Sequence, residues 1–106
     1  MGKRRKIPVV QPDPVRSLHG SIPADALDLH GLHARTAEER VRRFIETWSR
    51  REPGAIVRII TGKGTRSEGP AVLRALTLEL MTGELADRVA EWAVEVGGGS
   101  YLVRVR

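Results

Sequence analysis

Two short apolar runs, each stopped by a glycine, most constrain what this chain can fold into. Residues 26–30 (ALDLH) alternate apolar and polar side chains, which predicts a half-buried strand. Residues 55–61 (AIVRIIT) are almost continuously apolar and rich in β-branched side chains, which predicts a central strand. Gly31 and Gly62 follow these runs, so we expect a loop after each strand.

An amphipathic helix is predicted between the two strands. Thr36 stands three residues before Glu39, the spacing of a capping box, so we expect the helix to begin there. An apolar stripe follows at helical spacing: Ala37, Val41, Phe44, Ile45 and Trp48. Pro53 and Gly54 end the helix. Two strands joined through a helix are parallel, with a right-handed connection.

The second half of the chain predicts one more helix and a hairpin. Pro70 suits the first turn of a helix that runs to about Gly83. Its apolar stripe is Val72, Leu73, Leu76 and Leu80. Residues 88–96 and 101–106 are interpreted as two strands around a glycine turn; a helix over 84–95 is the alternative, but the valines and the turn favour strands. The order βαβαββ predicts a two-layer α/β sandwich: a four-stranded mixed sheet with two helices on one face.

Residues 1–24 are predicted to be a basic, proline-rich tail, and residues 25–106 the domain. The tail holds four of the six prolines and opens with four basic residues at 3–6. Such a composition cannot bury enough apolar surface to fold alone. Three alternatives stay open for it: a solvated leader, an arm that contacts phosphates, or a segment whose residues 18–22 lie against the domain.

Composition limits the kind of protein and its partner. With 106 residues, 41% of them hydrophobic, the chain supports one modest core. No apolar run approaches the roughly 18 residues of a spanning helix, and there is no cysteine for disulfides or thiolate metal sites. We therefore expect a cytoplasmic protein, most simply a monomer, without a membrane. The net charge of +5, with 18 Lys and Arg against 13 Asp and Glu, favours a nucleic-acid partner.

The motifs together resemble the Smr (small MutS-related) domain family, in its stand-alone bacterial form. The resemblance rests on residues 27–32 (LDLHGL), residues 61–64 (TGKG) with Ser67 after them, residues 72–74 (VLR) and the closing glycines 97–99. It covers residues 25–106. It implies a fold similar to the carboxyl-terminal domain of bacterial translation initiation factor three. It also implies an endonuclease that nicks DNA or cleaves RNA, in some members messenger RNA at stalled or collided ribosomes.

The family's motifs fall on particular residues of this chain. Its acidic-and-histidine motif falls on Asp28, His30 and Gly31, and its glycine loop falls on Thr61, Gly62, Lys63 and Gly64. Two features differ. Many relatives have a histidine shortly after the glycine loop, where this chain has Thr65 and Arg66, and many have a tryptophan late in the second helix, where it has Leu78 to Met81. The first difference leaves one fewer imidazole for acid–base chemistry.

The residues themselves predict a phosphodiester site. Loops at the carboxyl ends of parallel strands share one edge of a sheet, so His30 and Lys63 should converge. Histidine exchanges a proton near neutral pH and could act as general base on a ribose 2′-hydroxyl, while Asp28 orients its ring. Lys63 and loop amides would stabilise phosphorane oxygens. The predicted phosphate contacts are Gly31, Thr61, Gly62, Gly64, Arg66 and Ser67, with Arg35 and Arg74 as further candidates.

DNA lacks the 2′-hydroxyl, so its cleavage would need a water activated by Mg²⁺ or Mn²⁺. Asp28 is the carboxylate that could bind such a metal ion. RNA cleavage is the simpler mechanism. Two other interpretations stay open. The chain could be a non-catalytic nucleic-acid or ribosome-binding module, or a small interaction domain without a polyanion partner. An isolated Asp-x-His pair also occurs at polar strand edges and in helix caps, and Gly-x-Gly alone serves many tight turns.

Overall fold

The computed structural model describes Leu18, residues 20–63 and residues 68–106. These residues form four strands and two α-helices, in the chain order β1 (Asp25–Asp28), α1 (Ala34–Arg51), β2 (Ile56–Ile60), α2 (Glu68–Thr82), β3 (Val89–Val94) and β4 (Ser100–Val105). A short 3₁₀ helix, Ala86–Arg88, leads into β3. Within these residues no helix is both long enough and apolar enough to cross a membrane.

The four strands form one mixed sheet in the order β1-β2-β4-β3. β1 pairs parallel to β2, with Leu27 opposite Ile59, and β4 pairs antiparallel to both β2 and β3. The predicted parallel pair and antiparallel hairpin are confirmed, and so are two strands in place of a helix over 84–95. The carboxyl ends of β1 and β2 and the amino-terminal end of β4 therefore lie at one edge of the sheet.

The main core lies between the sheet and the two helices. α1 contributes the buried Ala37, Val41 and Ile45, with Phe44 and Trp48 partly buried beside them. The strands contribute side chains at every second position, which are Val57 and Ile59 in β2 and Tyr101, Val103 and Val105 in β4. This alternation is what a sheet with one helix-covered face requires. The predicted α1 stripe is confirmed at every position.

The opposite face of the sheet carries a smaller apolar cluster and an ion-pair network. Leu18 is fully buried there against Ala93 and Leu102. Beside it, Arg58 donates two hydrogen bonds, of 2.7 and 2.9 Å, to the carboxylate of Glu95. Those bonds hold the pKa of Glu95 below its ordinary value and raise that of Arg58. Leu18 thus packs against the domain, as one of the three alternatives for the tail predicts. Residues 1–17 and 19 lie outside the described part of the chain.

Two local predictions about the helices were wrong. α1 begins at Ala34, two residues before Thr36, and its N-cap residue His33 makes no side-chain cap hydrogen bond. In α2, Val72 is 46% exposed, whereas Thr77 and Met81 are buried. The predicted stripe is confirmed at Leu73 and Leu80, which are buried, and at Leu76, which is partly buried, so it is wrong at Val72 alone.

Candidate functional site

The first loop of the site is a tight turn directly after β1. The backbone N–H of Leu32 donates to the carbonyl of Leu29 at 3.0 Å. Gly31, the third residue of this turn, has a φ of +80°, a backbone angle that glycine adopts without steric cost. His30 is the second residue of the turn, and its side chain is 72% exposed. The sequence therefore places an imidazole in solvent at the sheet edge.

Asp28 and His30 form a hydrogen-bonded pair. One carboxylate oxygen of Asp28, Oδ1, accepts from the backbone N–H of His30 at 3.0 Å and lies 2.7 Å from Nδ1 of its ring. The ring bond is the main reason, and the amide bond the second, why the pKa of Asp28 lies below its ordinary value. An ionised carboxylate can only accept, so Nδ1 carries the proton of the neutral ring. Nε2 is then left with a lone pair that can accept a proton.

The second loop, after β2, is anchored on the glycine turn of the β3–β4 hairpin. The carbonyl of Gly99 accepts from the backbone N–H groups of Thr61 at 2.9 Å and Gly62 at 3.1 Å, and from the Thr61 hydroxyl at 3.3 Å. Thr61 is fully buried. These two residues were predicted as phosphate contacts, but their donors are already engaged inside the protein. They support the loop and do not present free donors at its surface.

Gly62 lies close both to the turn after β1 and to the start of α2. Its φ is +104°, and a Cβ atom there would lie 3.4 Å from Cγ of Pro70 and 3.8 Å from Cβ of His30. The glycine is thus packed between the first turn of α2 and the histidine. This close approach places the glycine loop, the Asp28–His30 pair and the amino-terminal end of α2 at one edge of the sheet, as the topology predicted.

Lys63 extends over the glycine turn. A Cβ atom at Gly97 would lie 3.4 Å from Nζ and Cε of Lys63, and one at Gly99 would lie 2.6 Å from its Cγ. Two hydrogen bonds hold the loop before it: Arg74 donates to the carbonyl of Gly62 at 3.2 Å, and the Tyr101 hydroxyl donates to the carbonyl of Arg74 at 3.2 Å. Arg74, predicted as a phosphate contact, therefore fixes the loop through its guanidinium.

Several predicted site residues cannot be placed. Gly64, Thr65, Arg66 and Ser67 lie outside the described residues, so the predicted contacts of Gly64, Arg66 and Ser67 with phosphate stay predictions. Arg35 is exposed in the first turn of α1. No group of three or more His, Asp and Glu residues that could hold a metal ion comes together in the described parts of the chain. Asp28 is the carboxylate that contacts His30.

A cavity of about 300 Å³ lies elsewhere. Its lining includes Ser21, Arg58, Val94 and Leu102, and none of its lining residues belongs to the Asp28–His30 turn or the glycine loop. The Asp28–His30 pair itself is open to solvent, with the side chains of His30 and Asp28 72% and 51% exposed. Such exposure suits a long polymer better than a small molecule, because small ligands are usually held in concave sites.

The glycine turn is the part of the site that sequence reasoning missed. Residues 97–99 were interpreted as a hairpin turn, yet the carbonyl of Gly99 also accepts hydrogen bonds from the loop after β2. In addition, the absence of side chains at Gly97 and Gly99 leaves room for the side chain of Lys63 to lie against the turn. A tight hairpin needs no more than two such residues. The third glycine was the signal that another part of the chain approaches closely.

The chain is thus a two-layer α/β domain with an Asp–His pair and a glycine-anchored loop at one edge of its sheet. The profile of the Smr domain family matches residues 27–106, and the chain belongs to that family, which is associated with nucleases. The crystal structure of the Smr domain of Thermus thermophilus MutS2 is similar, with a TM-score of 0.64 and 26% identity. The match covers 78% of this chain and 99% of that one. Comparison with curated proteins gives no significant match.

Replacing Gly99 with alanine is expected to destabilise the domain by about 1–3 kcal/mol, the usual cost of overpacking. The added methyl group would lie 2.6 Å from Cγ of Lys63, well inside van der Waals contact. Because Lys63→Ala removes that atom, the double variant should recover much of the loss. Urea denaturation of the wild type, both single variants and the double variant measures this coupling.

Gly98→Ala serves as the matched control. A Cβ atom at Gly98 meets nothing within 4 Å, but its φ is +74°, so the substitution should cost about 1–2 kcal/mol through backbone strain alone. That loss should be the same with or without Lys63→Ala. An equal loss for Gly99→Ala in both backgrounds would show that the lysine does not pack on the turn.

Proposed function

We propose that this Smr-family chain is a nucleic-acid endonuclease that uses His30 as general base, with RNA preferred over branched DNA. The observation that carries the proposal is the hydrogen bond from Nδ1 of His30 to Asp28 at 2.7 Å. It sets the tautomer and the orientation of an exposed imidazole whose second nitrogen remains open to a substrate. A carboxylate that orients a histidine in this way is a recurrent element of general base catalysis.

In the proposed reaction, Nε2 of His30 takes the proton of the ribose 2′-hydroxyl at the cleavage position. The 2′-oxygen attacks the adjacent phosphorus, and the bond from phosphorus to the 5′-oxygen of the next nucleotide breaks. That oxygen takes up a proton from water. The products are a 2′,3′-cyclic phosphate and a free 5′-hydroxyl. Asp28 stabilises the imidazolium that forms, because its lowered pKa keeps it ionised.

Lys63 supplies positive charge to the phosphate in this proposal. The lysine side chain is exposed and has no carboxylate partner among the described residues, so its charge is available to a substrate. Charge of this kind stabilises the extra negative charge on the phosphorane oxygens in the transition state. The engaged amide of Gly62 leaves Lys63 as the donor of the described loop that a phosphate oxygen can reach.

A metal-dependent variant of the proposal differs in one respect. Mg²⁺ or Mn²⁺ held jointly by Asp28 and the substrate would activate a water and would extend cleavage to DNA. Asp28 already accepts two hydrogen bonds from His30, which makes its role in orienting the imidazole the simpler one. The two versions predict different products, since hydrolysis by water leaves no cyclic phosphate.

The test is cleavage of a labelled RNA stem-loop, the same RNA with 2′-O-methyl riboses, and a branched DNA, each with Mg²⁺ and with EDTA. We expect cleavage of the unmodified RNA, persistence in EDTA, a cyclic phosphate end, and no cleavage of the methylated RNA. Cleavage of the methylated RNA or of DNA that EDTA abolishes would support the metal-dependent version. If the purified wild type cleaves none of the three, the endonuclease proposal is wrong.

The exposure of the site favours a second candidate, a nucleic-acid or ribosome-binding module without catalysis. The side chains of His30 and Asp28 are 72% and 51% exposed, and a solvent-exposed site gives weaker electrostatic stabilisation than a desolvated one. A module of this kind would bind RNA with a strong salt dependence but leave it intact. The cleavage assay and a binding titration on the same RNA separate the two candidates.

A further inference from the structure

Four arginines on the outward side of α1 make no ion pair with any carboxylate in the described part of the chain. These are Arg40, Arg43, Arg50 and Arg51, all of them exposed. We call them the α1 basic stripe. Residues seven or eleven positions apart lie within about 20° of each other around an α-helix. Arg40 is therefore in line with Arg51, and Arg43 with Arg50, and these two lines lie roughly 60–100° apart around the helix.

Three other arginines of the described residues have carboxylate partners. Arg42, on the flank of α1 that faces the end of α2, forms a two-bond ion pair with Glu84. Arg58 is paired with Glu95, and Arg104 lies 3.7 Å from a carboxylate oxygen of Glu91. Eight described arginines have no such partner: five are on α1, which are Arg35 and the four of the stripe, and three are elsewhere, which are Arg74, Arg88 and Arg106. The largest group of unpaired positive charge in the described residues is therefore on α1.

The line of Arg40 and Arg51 lies on the flank of α1 beside β1, which is an edge strand of the sheet. The indole N–H of Trp48 donates to Asp25 at the start of β1, at 3.2 Å, and the guanidinium of Arg51 lies 5.3 Å from the centre of the Trp48 ring. Because the end of α1 thus meets the start of β1, the helix runs back from the site. Arg40 is the stripe residue nearest the Asp28–His30 turn, and Arg51 is at the far end.

We propose that the α1 basic stripe binds the phosphate backbone of the nucleic acid as it leaves the Asp28–His30 site. The inference rests on the proposed nucleic-acid function of that site and adds the direction of the strand. At 1.5 Å per residue, α1 from its first residue to Arg51 spans about 26 Å, which corresponds to roughly seven or eight base pairs of duplex at 3.4 Å each. The preferred substrate therefore extends at least that far to one side of the cut.

The experiment measures binding of the 106-residue chain to a labelled 24-nucleotide RNA stem-loop between 0.05 and 0.3 M salt. The test variant is R40Q/R51Q. The control is R88Q/R104Q, which removes the same charge from Arg88, exposed just before β3, and from Arg104, on the face of the sheet opposite the helices. We expect R40Q/R51Q to bind at least about tenfold more weakly at 0.1 M salt and its salt slope to fall by roughly 1.4–1.8, whereas the control keeps the wild-type slope.

The outcomes separate the stripe from the nuclease. If R40Q/R51Q and the control have equal slopes, or if the wild type does not bind this RNA, the stripe proposal is wrong. If cleavage is absent but the slopes differ as expected, the stripe is supported and the endonuclease proposal fails. If cleavage depends on His30 but the slopes do not differ, the endonuclease is supported and the stripe fails.

Discussion

Replacing His30 with alanine is expected to lower the rate constant of RNA cleavage by about 10²- to 10⁴-fold, the range that a positioned general acid or base contributes. The affinity for RNA should stay within about twofold, because the phosphate contacts are proposed to come from Lys63 and the α1 basic stripe and not from His30. The measurement is single-turnover cleavage of the labelled stem-loop beside a binding titration on the same RNA. Loss of the rate without loss of affinity would identify a residue that acts in the chemical step.

His33→Ala is the matched control for that substitution. His33 is also an exposed histidine at the same end of α1, but it makes no side-chain cap hydrogen bond, and it has no carboxylate partner among the described residues. Its replacement should leave the cleavage rate unchanged. Equal losses from His30→Ala and His33→Ala would contradict the assignment of the base, since only His30 is oriented by Asp28.

Asp28→Asn and the pH dependence of the rate test the tautomer. A neutral amide at position 28 can donate to Nδ1 of His30, which would move the ring proton to Nε2 and remove the free lone pair. We expect a large loss of rate without a change in the fold. In the wild type the pKa of Asp28 is held below its ordinary value, so Asp28 stays ionised near neutrality. Protonation of Asp28 should therefore lower the rate only at a pH below the ordinary pKa of aspartate, and single-turnover cleavage by the wild type and by Asp28→Asn across pH measures both effects.

The elements that could be predicted from the sequence are those specified by nearby residues. The alternation of residues 26–30 and the β-branched run at 55–61 place β1 and β2 correctly, and the spacing from Ala37 to Trp48 defines the buried face of α1. Periodicity works here because each side chain's position follows from the geometry of its own element. The parallel order of β1 and β2 then follows from the helix between them.

The features that were not predicted depend on contacts between distant parts of the chain. α1 begins at Ala34, soon after the turn that closes between Leu29 and Leu32, and not at the capping signal of Thr36. The loop after β2 is held by the carbonyl of Gly99, far along the sequence. Neither Thr61 nor Gly62 carries a local sign of that bond, so both were interpreted as contacts to a substrate.

The second face of the sheet shows the same limit. Leu18 lies in a stretch without apolar periodicity, and a single leucine gives no pattern to detect. Its burial against Ala93 and Leu102 becomes visible only when β3 and β4 are paired. The pairing of β2 with β4 likewise brings the arginine of β2 close to Glu95. Contacts of this kind can be predicted only when the order of the strands is known, and that order depends on how all four strands pair.

Leu29→Ala is expected to reduce the free energy of unfolding by about 2–5 kcal/mol, as buried leucine truncations do. Leu29 is fully buried in the main core cluster, and its amide donates to the carbonyl of Ile60 at 2.8 Å. Domains of this size are stable by only about 5–15 kcal/mol in total. The midpoint of thermal unfolding should therefore fall by more than about 10 °C, whereas Ile22→Ala, at a position 91% exposed, should change it little.

The same substitution should also lower RNA cleavage at temperatures where the variant is still folded. Leu29 stands between Asp28 and His30 and supplies the carbonyl that closes their turn, so a cavity beneath it allows the pair to shift. A misplacement of about 1 Å can cost a catalytic site 10²-fold. If Leu29→Ala lowers stability as expected but leaves the cleavage rate of the folded fraction unchanged, the Asp28–His30 pair is held by the turn alone and does not depend on the core below it.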